Sequence, residues 1–228
     1  MSIKNKVLIV ASHPDDEILG CAGTVARLIQ QGSQVYTLIL GEGVTSRGES
    51  RDVSASAKEI EKLREDAKAA NKVLGVKEVF FCGFPDNRFD TVAFIDIVKA
   101  IEKVKDNIKP YVVFTHYEND LNIDHQITFK AVLTATRPLV GESAKELYSF
   151  EVISSTEYRY PVSFSPDMFF DVSKTIGVKV EAMEKYKSEL RNAPHPRSLE
   201  GIKLNAKTWG MKVGCEFAEA FKTIRVVR

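Results

Sequence analysis

Residues 12–17 read Ser-His-Pro-Asp-Asp-Glu and stand directly behind the apolar run Val7-Leu8-Ile9-Val10. Three consecutive acids beside a buried segment are costly unless something positive holds them together. Pro14 pushes His13 into extended geometry, so His13 belongs to a strand end. Asp15 and Asp16 then open a helix, where caps and early acids are favoured. A helix cap accounts for the acids but not for the histidine. A second piece stands at residues 122–126, Asn-Ile-Asp-His-Gln, with His125 near the start of a later helix. His13, Asp16 and His125 together form a three-ligand set that leaves a fourth position open, the pattern of a catalytic zinc. Asp15, turned roughly 100° from Asp16 on a helical turn, would face the metal-bound water as general base. One divalent cation per chain, zinc or a similar metal, would also compensate the carboxylates gathered there.

Residues so far apart in sequence need a scaffold that returns them to one place. Strands are expected at 6–11, 34–40, 78–83, 111–116 and 148–154, and helices at 16–31, 55–74, 91–107, 123–137, 175–191 and 199–221. This alternation predicts an α/β fold with a Rossmann-like, mainly parallel sheet flanked by helices on both faces. Such sheets hold their ligands at the carboxyl ends of the strands. The polar segments 12–17, 41–51, 83–90 and 115–125 all fall at such ends. No repeat, low-complexity stretch or linker interrupts the chain, so residues 1–228 are expected to form a single domain. The part from about 155 onward, where the alternation loosens, would complete the crevice.

Further candidates lie on the same loops. Arg47 and Asp86 suit a ligand's hydroxyls or a phosphate. Arg88 is either another substrate contact or a surface partner of Asp86 or Asp90. His195 and Arg197 sit in the proline-flanked loop Asn-Ala-Pro-His-Pro-Arg-Ser, which either covers the mouth or docks the last helix. His116 is either a participant in proton transfer or a strand-end histidine tied to backbone. Trp209 is expected in the core.

With these motifs in view the chain resembles the zinc-dependent N-acetyl sugar deacetylases of the LmbE/PIG-L family. The likeness covers SHPDDE after strand one, GEG after strand two, FPDNR after strand three, DLNIDHQ, and the closing PHPRSLEGI and AEAF. It implies zinc on His13, Asp16 and His125, Asp15 as general base, and Asp86 against the substrate sugar. The implied reaction removes the N-acetyl group from a GlcNAc-type sugar or conjugate, giving a free amine and acetate. One position departs: several members carry a histidine three residues before the zinc histidine, and Asn122 stands there instead. An asparagine amide can donate a hydrogen bond to an oxyanion but cannot deliver a proton. His116 is then the candidate substitute, and Asp124 the residue that orients a neighbouring imidazole or simply opens a helix. The alternatives are a zinc amidase acting on a thiol conjugate, and a non-catalytic nucleotide-binding or scaffold module. The nucleotide reading lacks G-x-G-x-x-G after strand one, and the acids there would repel a pyrophosphate.

The bulk numbers agree with a globular enzyme of small molecules. Of 228 residues, 44% are hydrophobic and 28% charged, and 32 basic against 31 acidic side chains leave a net charge of +1. That balance argues against nucleic acid or an anionic membrane as partner. Cys21, Cys82 and Cys215 form no CxxC pair, and Cys21 and Cys82 are expected as buried free thiols of a reducing compartment. The N-terminal apolar stretch is too short for a leader or a membrane span. These features point to a cytoplasmic location and leave self-association into an oligomer open.

Overall fold

The computed structural model describes residues 5–48 and 51–228. Residues 1–4, which precede the first strand, and Glu49 and Ser50 of the 41–52 loop lie outside them. The elements in chain order are β1 (Lys6–Ala11), α1 (Asp16–Gln30), β2 (Gln34–Gly41), α2 (Ala57–Leu74), β3 (Glu78–Phe84), α3 (Phe94–Ile108) and β4 (Val112–His116). They continue with α4 (Ile123–Ala135), β5 (Glu146–Phe150), β6 (Met168–Asp171), α5 (Ile176–Met183), α6 (Leu199–Val213) and β7 (Ala218–Val226). All seven strands form one sheet in the order β3-β2-β1-β4-β5-β7-β6. The first five run parallel, and β7 is antiparallel to both β5 and β6.

The centre of this sheet follows from the unbroken apolar character of β1. Alternate residues face opposite sides: Val7 and Ile9 pack into one core with Ile18, Val25, Leu63 and Ala67. Leu8 and Val10 pack into a second core with Ile97, Ile101, Ala131 and Val132. Helices therefore cover both faces, as continuous hydrophobic parallel strands require. From β1 the chain proceeds outward to β2 and β3, then crosses back to place β4 on the other side of β1. The loops leaving β1 and β4 diverge at that reversal and open a crevice. Residues 12–15 and 117–122 are those loops.

Three expectations are corrected past residue 140. Strand β5 lies at Glu146–Phe150 rather than 148–154. The helix expected over 175–191 stops at Met183, and residues 184–190 continue as turns that carry Tyr186 and Glu189 inward. The helix expected to reach 221 ends at Val213, where Gly214 takes the left-handed conformation with φ 78°. Glycine adopts that conformation without penalty, and the chain then forms β7. Cys21 is buried, but Cys82 is exposed because β3 is an edge strand. Trp209 is half-buried against Phe164 and Phe169. No helix of the described residues is long and apolar enough to cross a membrane.

Candidate metal centre and crevice

The turn between β1 and α1 is built against ordinary backbone preference. Asp15 has φ 102°, in the left-handed region, which side chains other than glycine resist. As the residue before α1 it makes no side-chain cap, so a plain helix cap does not explain it. Instead the neighbouring acids serve the turn: Asp16 Oδ2 accepts the His13 N–H at 2.7 Å, and Glu17 Oε2 accepts the Asp15 N–H at 3.1 Å. Asp15 and Asp16 are thereby separated by a backbone reversal, not by a helical turn. The following loop packs closely on this one. A side chain at Gly43, which has φ 81°, would start 2.7 Å from Pro14 Cδ.

His13, Asp16 and His125 present one donor atom each, all within 4.8 Å of one another, and all three residues are buried. His125 Nε2 lies 3.3 Å and His13 Nδ1 3.4 Å from Asp16 Oδ2. Two donors bonded to one tetrahedral zinc at about 2.0–2.1 Å stand roughly 3.3–3.4 Å apart, so the spacing fits such an ion. The rear of each ring also faces a carboxylate. His13 Nε2 is 2.9 Å from Asp124 Oδ2 and 3.3 Å from Asp86 Oδ1. A carboxylate only accepts, so Nε2 carries a proton, and Nδ1, which faces Asp16, is the nitrogen that would ligate a metal. His125 Nδ1 lies 3.1 Å from Asp120 Oδ1. Carboxylates behind imidazoles in this way orient them as metal ligands. A second grouping, His13, Asp86 and Asp124, is accounted for by Nε2 of His13 lying between those two acids.

The electrostatics fit a cation as well. Burial opposes charge on all of these groups, yet Asp16 is pulled well below the ordinary carboxylate range, chiefly by His125. Burial lowers the His125 imidazole, but Asp16 and Asp120 outweigh it and push it up to about 9. His13 is likewise raised, by Asp124 and Asp16 against its burial. A cluster that retains protons to balance its carboxylates is one in which a divalent ion can take the protons' place.

The crevice in front of these donors has a volume of about 230 Å³ and is lined by His13, Asp15, Asp16, Asp86, Asn122 and His125 among others. Arg47 lines it too, 2.5 Å from Glu189 Oε1. Asp86 Oδ2 accepts the Ser46 N–H and hydroxyl at 3.1 and 2.5 Å, which joins the loops after β2 and β3. Asn122 Oδ1 caps α4 by accepting the Asp124 N–H at 2.8 Å, while Nδ2 donates to Asn87 Oδ1 at 2.8 Å. Asp124 is fully buried and binds His13 on one oxygen and the Phe89 N–H on the other.

Three expected site residues stand elsewhere. His116 is fully buried behind His125, its ring 3.9 Å from that ring, and Nε2 accepts the Ser12 N–H at 2.8 Å. Burial and the neighbouring His125 hold it well below the ordinary histidine range, so it is a neutral backbone acceptor and not a proton donor in the crevice. Arg88 and His195 do not line the crevice. His195 Nδ1 accepts the Arg197 N–H at 3.1 Å and shapes the loop instead. Arg197 does reach inside. Its Nη1 lies 2.9 Å from Asp15 Oδ2. Ser46, Asn87, Ser154, Ser155, Glu189 and Arg191 also line the crevice, and no local pattern in the sequence distinguishes them from surface residues. Glu17, by contrast, was visible in the motif as a third acid with no evident task.

Residues 8–136, more than half of the chain, match the family described as PIG-L, GlcNAc-PI de-N-acetylase. The chain belongs to the PIG-L family. Among its curated relatives is a probable N-acetyl-alpha-D-glucosaminyl L-malate deacetylase 2 of Bacillus cereus, 27% identical over 82% of this chain and 84% of that protein. The diacetylchitobiose deacetylase of Thermococcus kodakarensis is 24% identical over 96% of this chain and 83% of its own length. Among solved structures, the conserved protein TT1542 from Thermus thermophilus superposes with a TM-score of 0.77 at 25% identity, covering 98% of this chain and 96% of the other. The PIG-L match contains His13, Asp15, Asp16, Asp86, Asn122 and His125, so everything at the metal-facing end of the crevice falls inside it. Hydrolytic N-deacetylation of a sugar is the activity that the family and these relatives support.

Proposed function

We propose that the protein is a zinc-dependent hydrolase that removes the N-acetyl group from a GlcNAc-type sugar or its conjugate, releasing acetate and a free amine. The observation that carries this reading is the placement of Asp15, a buried carboxylate open to the crevice, beside three buried donors at zinc-like spacing. His13 Nδ1, Asp16 Oδ2 and His125 Nε2 would hold the metal. When bound, zinc acidifies a coordinated water toward about pH 7 and polarises the amide carbonyl.

The chain's own residues do the rest. Asp15 takes a proton from the attacking water and returns it to the departing nitrogen, the role of a general base that then serves as acid. Burial raises its carboxyl well above the ordinary range, while Arg197 pulls it back, which keeps it suited to both steps. Asn122 Nδ2 retains one N–H beyond its bond to Asn87 and can donate it to the developing oxyanion; one such donor is worth ~100- to 1000-fold in rate. Arg47, Asp86, Ser46 and Asn87 offer polar contacts to sugar hydroxyls at the outer wall.

The test is acetate release from GlcNAc, UDP-GlcNAc and a GlcNAc glycoside, with zinc content, for wild type and Asp15→Asn. One zinc per chain, acetate from at least one substrate, and loss of ~100-fold or more in a variant that keeps its metal are expected. Zinc binding without release from any acetamide would overturn the substrate assignment. A chain that takes up no zinc would overturn the whole reading.

A further inference from the structure

Glu17 neither lines the crevice nor belongs to the donor set, yet its carboxylate is completely buried and both oxygens are occupied. Oε2 accepts the Asp15 N–H at 3.1 Å. Oε1 accepts the Tyr186 hydroxyl at 2.6 Å and Asn71 Nδ2 at 2.9 Å. The two donors come from different parts of the fold. Tyr186, one of the largest fully buried side chains, stands in the turns after α5, and Asn71 is in the last turn but one of α2. Asn71 is itself fixed, because its Oδ1 accepts the Thr37 hydroxyl on β2 at 2.8 Å.

A carboxylate is an expensive filler for a core position, and an apolar side chain of similar length would pack there at less cost. The task an apolar side chain could not perform is acceptance of the Asp15 N–H. That amide precedes the helical ladder and has no intrahelical partner. It belongs to a residue with φ 102°, a conformation that persists only where the surroundings over-determine it.

We infer that Glu17, held by Tyr186 and Asn71, is the positioning residue that keeps Asp15 in the left-handed conformation aiming its carboxylate into the crevice. The catalytic half of this inference rests on the reading of Asp15 as general base. Its geometric half does not. Misplacing a catalytic group by about 1 Å can cost on the order of 100-fold, so loosening the cage lowers turnover without touching metal or substrate contacts.

The experiment compares zinc-loaded wild type, Tyr186→Phe, Glu17→Gln and Glu17→Ala in kcat and KM for acetate release, zinc content, and amide hydrogen exchange at Asp15 followed by NMR. Tyr186→Phe is expected to lower kcat about 10- to 100-fold with KM within about twofold and one zinc retained. The Asp15 amide should exchange roughly tenfold faster, while amides in the middle of α1 keep their protection. Glu17→Gln, which keeps an acceptor oxygen, should exchange more slowly and turn over faster than Glu17→Ala. An Asp15 amide as protected in Tyr186→Phe as in wild type would overturn the inference. So would a loss of kcat that tracks loss of zinc or of protection throughout α1. If Glu17→Ala does not fold, Glu17→Gln decides, with its Asp15 amide expected to exchange faster than in wild type, because Tyr186→Phe also removes the hydroxyl's own interaction with the Asp15 backbone. Should wild type release no acetate, the deacetylase reading fails, and exchange at Asp15 still settles whether the cage holds the turn.

Discussion

Arg197 Nη1 lies 2.9 Å from Asp15 Oδ2 across 182 positions of sequence, while Nε of the same guanidinium donates to Ser154 Oγ at 2.7 Å. The loop before α6 is thus pinned to the one carboxylate assigned the proton transfers. Burial raises the Asp15 carboxyl, and the Arg197 charge lowers it. Replacing Arg197 by methionine keeps the length of the side chain and removes that lowering. The acid limb of the kcat/KM profile should then move to higher pH, with a loss on the order of tenfold or more at neutral pH. A limb that stays put or moves to lower pH would contradict the assignment.

Asp120 supports His125 from behind. It accepts the Asn122 N–H at 2.9 Å, the Thr156 hydroxyl at 2.5 Å and the Ser155 hydroxyl, and faces His125 Nδ1. Asp120→Asn should weaken zinc affinity about 10- to 100-fold, measured by competition with a chromogenic chelator. Turnover per bound zinc should change less than affinity does.

Without a metal, the carboxylates of Asp16, Asp86, Asp120 and Asp124 are gathered around His13 and His125. Chelation should abolish acetate release, and zinc should restore it. Free zinc at a hundred times its dissociation constant stabilises the fold by about 2.7 kcal/mol, a rise in Tm of roughly 5–10 °C for a chain of this length. Differential scanning calorimetry of Asp16→Ala should show no such rise.

Glu151 lies away from the crevice, its Oε1 accepting Asn205 Nδ2 at 2.8 Å and Trp209 Nε1 at 2.6 Å. Burial raises its carboxyl above the ordinary 4.5 despite those bonds. A carboxyl raised in the folded state binds its proton more tightly folded than unfolded. Its stabilising contribution is therefore present below the unfolded value and lost as pH rises through the folded one. Glutamine keeps the acceptor oxygen and carries no titrating proton. Glu151→Gln should raise Tm by about 2–4 °C at pH 8 and bring no gain at pH 4. An equal gain at both would show that packing, not charge, is responsible.

The parallel half of the sheet and the three donors were legible because their signals are local: continuous apolar runs, a proline after His13, a histidine at a helix start. The antiparallel part was not. Ala218–Phe221 are all buried, so β7 lacks the alternation that marks a half-exposed strand, and only its pairing with β5 and β6 makes it one. Gly214 was the available signal that α6 must stop. His116 illustrates a different limit, since its type and position at a strand end are those of a catalytic group while its burial behind His125 is a tertiary fact. Glu17 could be read only as one more acid at a helix start until Tyr186, 169 positions away, was found bonded to it.

The family match ends at residue 136, and Val152, Ser154, Ser155, Glu189, Arg191 and Arg197 of the crevice wall all come after it. The crevice wall is therefore shared by two stretches: Ser46, Arg47, Asp86 and Asn87 lie within the match, while the later residues come from beyond it and Arg197 reaches back to Asp15. Exchanging the later stretch between relatives would alter only that part of the wall and leave His13, Asp16 and His125 in place, and the exchanged stretch would have to bring its own partner for Asp15.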